Sequence, residues 1–158
     1  MRKEIFRRFT MMAFIVEIAL VSAAATAQAQ APNKVVADVP FEFSIGYKTM
    51  PAGGYVVQTV ASAGNALLIQ SADAKSSALR RSEATVPMKN KQHARLVFHR
   101  YGERYFLAEV WSGVDISGRQ LVKSQEERAI EQELASLATN GNSAPAGYEI
   151  VELIATPR

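Results

Sequence analysis

The sequence predicts a mainly β fold, a small antiparallel barrel or sandwich of roughly six or seven strands with one C-terminal amphipathic helix. Three observations carry that prediction. Arg95 to Trp111, RLVFHRYGERYFLAEVW, consists of two apolar and aromatic runs joined at Tyr101-Gly102-Glu103-Arg104, the pattern of a β-hairpin. Short alternating stretches bounded by turn residues precede it, and one more follows. The period changes to a helical one only after Ser124.

The folded domain is expected to span residues 30–158, behind a cleavable signal peptide at 1–29. Arg2, Lys3, Arg7 and Arg8 form a positive start, Met11 to Ala25 is mostly apolar, and cleavage sites with small residues fall near Ala27 or Ala29. Glu17 is out of place in such a segment, but it counts harder against a permanent span. A span needs ~20 apolar residues, and an acid near its centre costs roughly 2.5–3.5 kcal/mol. Removing the leader lowers the net charge from +3 to +1, with 14 basic and 13 acidic side chains left. The basic pI therefore belongs mainly to the leader and gives no reason to expect nucleic acid. The chain has no cysteine, which excludes disulfides and lipid attachment at a cysteine.

The first strand is expected over Val35 to Ser44, where Phe41, Phe43 and Ile45 alternate with Glu42 and Ser44. Pro40 cannot donate to a ladder, so it marks an edge or a bulge. Tyr47 to Gly54 reads as a connection, Tyr55 to Val60 as the second strand, and Ser62 to Asn65 as a turn. Leu67 to Gln70 is a third strand, Ser71 to Lys75 a turn, and Ser77 to Val86 a fourth strand ended by Pro87. Met88 to Ala94 is a polar, basic loop.

In the hairpin, glycine suits the positive φ at the first central position of a type II′ turn. Tyr101 should then pair with Arg104, His99 with Phe106 and Val97 with Ala108 on one face. Leu96, Phe98, Arg100, Tyr105, Leu107, Glu109 and Trp111 share the other. Neither face is purely apolar, so both should touch protein. Ser112 to Leu121 reads as an irregular excursion.

Ser124-Gln125-Glu126-Glu127 fits a capping box, and Ile130, Leu134 and Leu137 make a narrow apolar stripe on a helix over about 125–138. Thr139 to Gly147 is turn-rich. Tyr148 to Ile154 has strand composition and should return to the sheet.

VPFEFSIGYKTMPAGGY (39–55) and LVFHRYGERYFLAEVW (96–111), followed by Gly118-Arg119-Gln120-Leu121 and a charged helix, resemble a family of small exported bacterial proteins of unassigned function. The resemblance covers most of the domain and implies a shared fold and export, with no active site to carry over. Where that pattern has Ser-Ala-Asp-Gly-Lys, this chain has Ala74 in the glycine position, although alanine disfavours the left-handed conformation that glycine would take.

No catalytic motif is evident. His93 and His99 are the only histidines, without a metal-ligand spacing, and no GxSxG elbow marks a nucleophile. No catalytic residue, metal ligand or cofactor is therefore assigned, and a structural His99 is favoured over a catalytic one. Arg100, Tyr101, Arg104 and Tyr105 are the candidate ligand-binding residues, because guanidinium and aromatic planes can stack on a sugar or grip an anion. Trp111 reads as core.

Charge is uneven. Eight basic residues stand against two acids from Lys75 to Arg104, and eight acids against three basic residues from Glu109 to Glu152. Opposed surfaces would permit head-to-tail self-association, whereas helix packing over the basic strands would neutralise them within one molecule. The expectation is an exported noncatalytic domain, periplasmic or extracellular, that acts by binding or assembly at the cell envelope. Its partner would be an envelope glycan, an anionic surface or another copy of itself. The alternatives are a hydrolase or carbohydrate-active enzyme with a site near His99 and Glu109, and a self-associating structural protein.

Overall fold

The computed structural model describes residues 34–60, 65–86, 93–113, 118–139 and 147–158. The proposed leader, most of the Ser62 to Asn65 turn, the 88–92 loop and residues 140–146 lie outside them. The described residues form eleven strands and one helix: β1 (Lys34–Val39), β2 (Phe43–Ile45), β3 (Lys48–Met50), β4 (Gly53–Thr59), β5 (Ala66–Ser71), β6 (Ser77–Thr85), β7 (Arg95–Tyr101), β8 (Arg104–Trp111), β9 (Gly118–Leu121), α1 (Gln125–Thr139), β10 (Glu149–Ile154) and β11 (Thr156–Pro157).

The fold is mainly β with one C-terminal helix, but with more strands than the six or seven expected. Pro40 does more than place the first segment at an edge: β1 stops at Val39 and β2 begins at Phe43. The Tyr47 to Gly54 connection contains β3, which pairs with β2 from Phe43↔Met50 to Ile45↔Lys48. The Gly118 segment, read as irregular, is strand β9, antiparallel to both β6 and β8. The last residues add β11 against β1.

The strand order is β10-β7-β8-β9-β6-β5-β4-β1-β11, with the β2–β3 hairpin attached to β8. β6 is the corner. Ser77 to Arg81 lie against β5, while Ser82 to Thr85 lie against β9. The sheet folds over its own core without closing into a barrel. Its end strands β10 and β11 are consecutive in the chain, so Ala155 covalently bridges the two ends. The Ala155 amide donates to the Ala94 carbonyl at 2.9 Å.

Alternation supplies the core. Val35, Val39, Tyr55, Val57, Leu67 and Ile69 from one half of the sheet meet Phe43, Ile45, Met50, Leu96, Phe98, Leu107 and Val110 from the other. Phe43 sits edge-on to both Tyr55 and Phe98, with centroids 5.1 and 5.3 Å away. Such pairs add about 0.5–1.5 kcal/mol beyond their area. The buried Tyr55 hydroxyl donates to the Pro51 carbonyl, so no polar group is stranded there.

The central hairpin has the expected two-residue turn. Tyr101 pairs with Arg104 and His99 with Phe106, and Gly102 has φ +63°. The register then departs from the regular one. A bulge between Val97 and Phe98 pairs Val97 with Glu109 instead of Ala108, and Arg95 with Trp111. One extra residue on β8 reverses the facing of everything beyond it. Glu109 and Trp111 thus lie on the His99 side and not, as expected, on the Leu96 side. Trp111 is buried there, with the Arg95 guanidinium carbon 4.5 Å from its ring centroid and Gly118 of β9 beneath the indole.

Candidate functional site

The four candidate binding residues divide between the two faces of the hairpin. Arg100 and Tyr105 are cross-strand partners, with the guanidinium carbon 5.6 Å from the ring centroid. Arg100 also donates to the Gly102 carbonyl at 2.7 Å and to Glu149 at 3.1 Å, and Tyr105 stacks on Phe41 at 3.9 Å. On the other face Arg104 pairs with Glu126 of α1 and lies over Phe106, while Tyr101 is buried. These residues do not form one platform, and both arginines hold carboxylates. An open depression of 450 Å³ beside Arg100 is bounded by Gly102, Gly147, Tyr148 and Glu149.

His99 has an acid partner, but it is Glu127 and not Glu109. Ser124 caps α1 as the sequence predicts, its Oγ accepting the Glu127 amide at 3.0 Å. In a full capping box the Glu127 carboxylate would return to the Ser124 amide. Here it reaches the sheet instead: Oε1 lies 2.7 Å from His99 Nδ1 and accepts from the Tyr101 hydroxyl at 3.5 Å. Glu127 and His99 are only 4% and 6% exposed. Glu109 accepts from the Trp111 indole at 2.8 Å.

Tyr148, at the entry to β10, closes this cluster. Its ring stacks on the His99 imidazole at 3.8 Å, and Lys123 Nζ lies 4.9 Å from its centroid while bonding to Glu131 at 2.7 Å. Burial, reinforced by the Glu127 charge, holds the Tyr101 phenol protonated well above the usual tyrosine range. Imidazole, carboxylate and the Tyr101 phenol therefore form a buried polar knot that fastens α1 to the central hairpin, with the partly exposed Tyr148 ring stacked over it from the start of β10. Among the described residues no group of three His, Asp or Glu side chains is placed to hold a metal ion.

A second site went unread in the sequence. Tyr47, Arg80, Arg81, Glu83, Val122, Lys123, Ser124, Gln125 and Arg128 line a groove of 480 Å³. It runs between the β2–β3 turn, the corner strand β6 and the start of α1. Arg80 is half-buried, its guanidinium packed over Gly46 and 5.6 Å from the centroid of the Tyr47 ring. Tyr47 is 75% exposed, and Arg81 and Arg128 are exposed. The Arg80-Arg81 pair and the cap at Ser124 were each visible in the sequence, but only the bend of the sheet brings them together.

Glu126 of α1 pairs with Arg104 of the hairpin, Glu131 of α1 with Lys123 just ahead of the helix, and Glu149 of β10 with Arg100. Two of these pairs, Arg104–Glu126 and Arg100–Glu149, join the basic segment to the acidic one, so part of the segmental charge asymmetry is compensated inside one molecule. No described helix is long and apolar enough to cross a membrane. The chain matches no family model, no curated protein and no solved structure.

Proposed function

We propose that this protein is an exported, noncatalytic domain that acts by binding anionic material at the cell envelope. The supporting observation is the state of the imidazole on which the enzymatic alternative rests. The His99 imidazole is held by Glu127, covered by Tyr148 and 6% exposed, so it fastens elements together and offers no route to a substrate. A general base must come within hydrogen-bond reach of the proton that it takes. The accessible chemistry is the cationic and aromatic groove at the sheet corner. The Arg104–Glu126 and Arg100–Glu149 pairs also lower the charge left for head-to-tail assembly.

Sedimentation with isolated cell envelopes tests this reading. Protein from an expressing cell, with a mass beginning at Gln28 or Gln30, is expected to pellet with envelopes in dilute buffer and to be released by about 0.5 M salt. Protein that stays in the supernatant at all salt concentrations overturns it. Turnover that disappears in His99→Gln while the fold persists would establish the enzymatic alternative instead.

A further inference from the structure

We infer that the groove between Tyr47, Arg80, Arg81 and Arg128 is a binding site for a carboxylated saccharide chain. This deepens the envelope-binding reading, on which it rests for its setting but not for its chemistry. Three features define the ligand class. The cationic groups outnumber the acids: Arg80, Arg81, Lys123 and Arg128 line the groove with Glu83 alone against them. Lys123 is held by Glu131, and Arg128 donates to the Ser124 carbonyl at 3.3 Å through Nε. Arg81 is exposed, with no ion-pair partner among the described residues. Forked guanidinium groups match a carboxylate in two parallel hydrogen bonds, which a lysine cannot do.

The second feature is Tyr47. A tyrosine left 75% exposed beside a guanidinium provides a flat apolar plane next to an anion site. That combination suits a sugar ring, whose apolar face stacks while its acid group is gripped. The third is relief. Arg80 is half-buried against Gly46 inside the groove, while Arg81 stands exposed at it. A planar lipid surface would meet Arg81 and leave Arg80 largely unused, whereas a narrow polymer can lie in the groove and reach both. Gly46 has φ +67°, a conformation that favours glycine, and the Arg80 guanidinium lies where a Cβ would stand.

Binding of the purified protein to polygalacturonate by calorimetry is the test, with neutral dextran and phosphatidylglycerol vesicles as comparisons. Arg81→Glu, at an exposed position, is expected to weaken polygalacturonate binding by at least about tenfold. Arg80→Lys keeps the charge and loses the fork, and should weaken it by about three- to tenfold. Tyr47→Ala should lower affinity with little change in salt dependence, and circular dichroism checks that each variant is folded. Equal binding of dextran, binding of vesicles but not of polygalacturonate, or folded arginine variants that bind like the wild type would each overturn the assignment. If the variants bind polygalacturonate like the wild type and pellet with envelopes as it does, the groove fails and the envelope reading survives. If polygalacturonate binding follows the predicted order but no protein pellets with envelopes, the envelope reading fails and the groove stands.

Discussion

Replacing Ala74 with glycine is expected to stabilise the protein. Ala74 lies in the turn between β5 and β6 with φ +58°, the one non-glycine residue at positive φ among the described residues. Its backbone is forced there by a closed set of bonds. Ser71 and Ser76 pair through the backbone at 2.8 Å, the Ala74 amide donates to the Ser71 carbonyl at 2.9 Å, and Asp73 Oδ1 accepts from Ser71 Oγ and from the Lys75 amide. None of these bonds uses the Ala74 methyl group. An L-residue in this conformation costs roughly 1–2 kcal/mol, and glycine gives back about 0.4–1 kcal/mol through its freer unfolded state. The net gain should be about 0.5–1 kcal/mol, or ~2–4 °C in Tm for a domain of this size. Urea and thermal unfolding followed by circular dichroism measure it. Ala72→Gly, two residues away at negative φ, is the control and should lose about 0.5–1 kcal/mol. A neutral or destabilising Ala74→Gly would refute the strain inferred from the turn.

Gly118→Ala would place a Cβ 2.6 Å from the Trp111 indole, so it should destabilise by about 1–3 kcal/mol and shift tryptophan fluorescence; an unperturbed spectrum and midpoint would contradict that packing. Glu127→Ala leaves the buried His99 ring without its acceptor and should cost about 2–3 kcal/mol, with Glu127→Gln losing less; urea midpoints check the order. Ser124→Ala removes the α1 cap for about 1 kcal/mol, read as lost helical ellipticity and a lower midpoint. Tyr101 has a raised pKa in the fold, so its neutral form contributes stability that is complete below the ordinary tyrosine value of 10.0 and is lost as pH rises through the folded value. Absorbance titration should accordingly find this phenol ionising late, with alkaline unfolding; Tyr101→Phe should move that unfolding to higher pH, and an unchanged profile would contradict the assignment.

Local chemistry made parts of this structure readable in advance. Gly102-Glu103 announces its own turn, because only the first of the two needs positive φ, and the Ser124 cap lies beside the helix that it starts. Alternation located the inward Phe43 and Ile45 of β2. What could not be read depends on distant partners. The β8 bulge sends Trp111 to the side where Arg95 and Gly118 receive it, and nothing within RLVFHRYGERYFLAEVW encodes that choice. Glu127 satisfies the capping-box pattern in sequence, yet its carboxylate crosses to His99, 28 residues earlier in the chain. The cationic groove draws on three separate elements and exists only because β6 changes partners at Ser82. Arg100, Tyr101, Arg104 and Tyr105 formed a cluster in sequence for the opposite reason: adjacency along a regular hairpin puts neighbouring residues on opposite faces, whereas Arg80 and Arg81 stand where β6 changes partners and both line the groove.

Amide chemical-shift mapping with polygalacturonate tests the central claim most directly, since it locates binding and separates a groove from a hidden catalytic histidine in one experiment. Shifts concentrated at Tyr47, Arg80, Arg81, Ser124 and Arg128, with His99 and Tyr148 unmoved, are the predicted result. Shifts centred on His99 and Tyr148, or none at saturating polymer, would contradict the account.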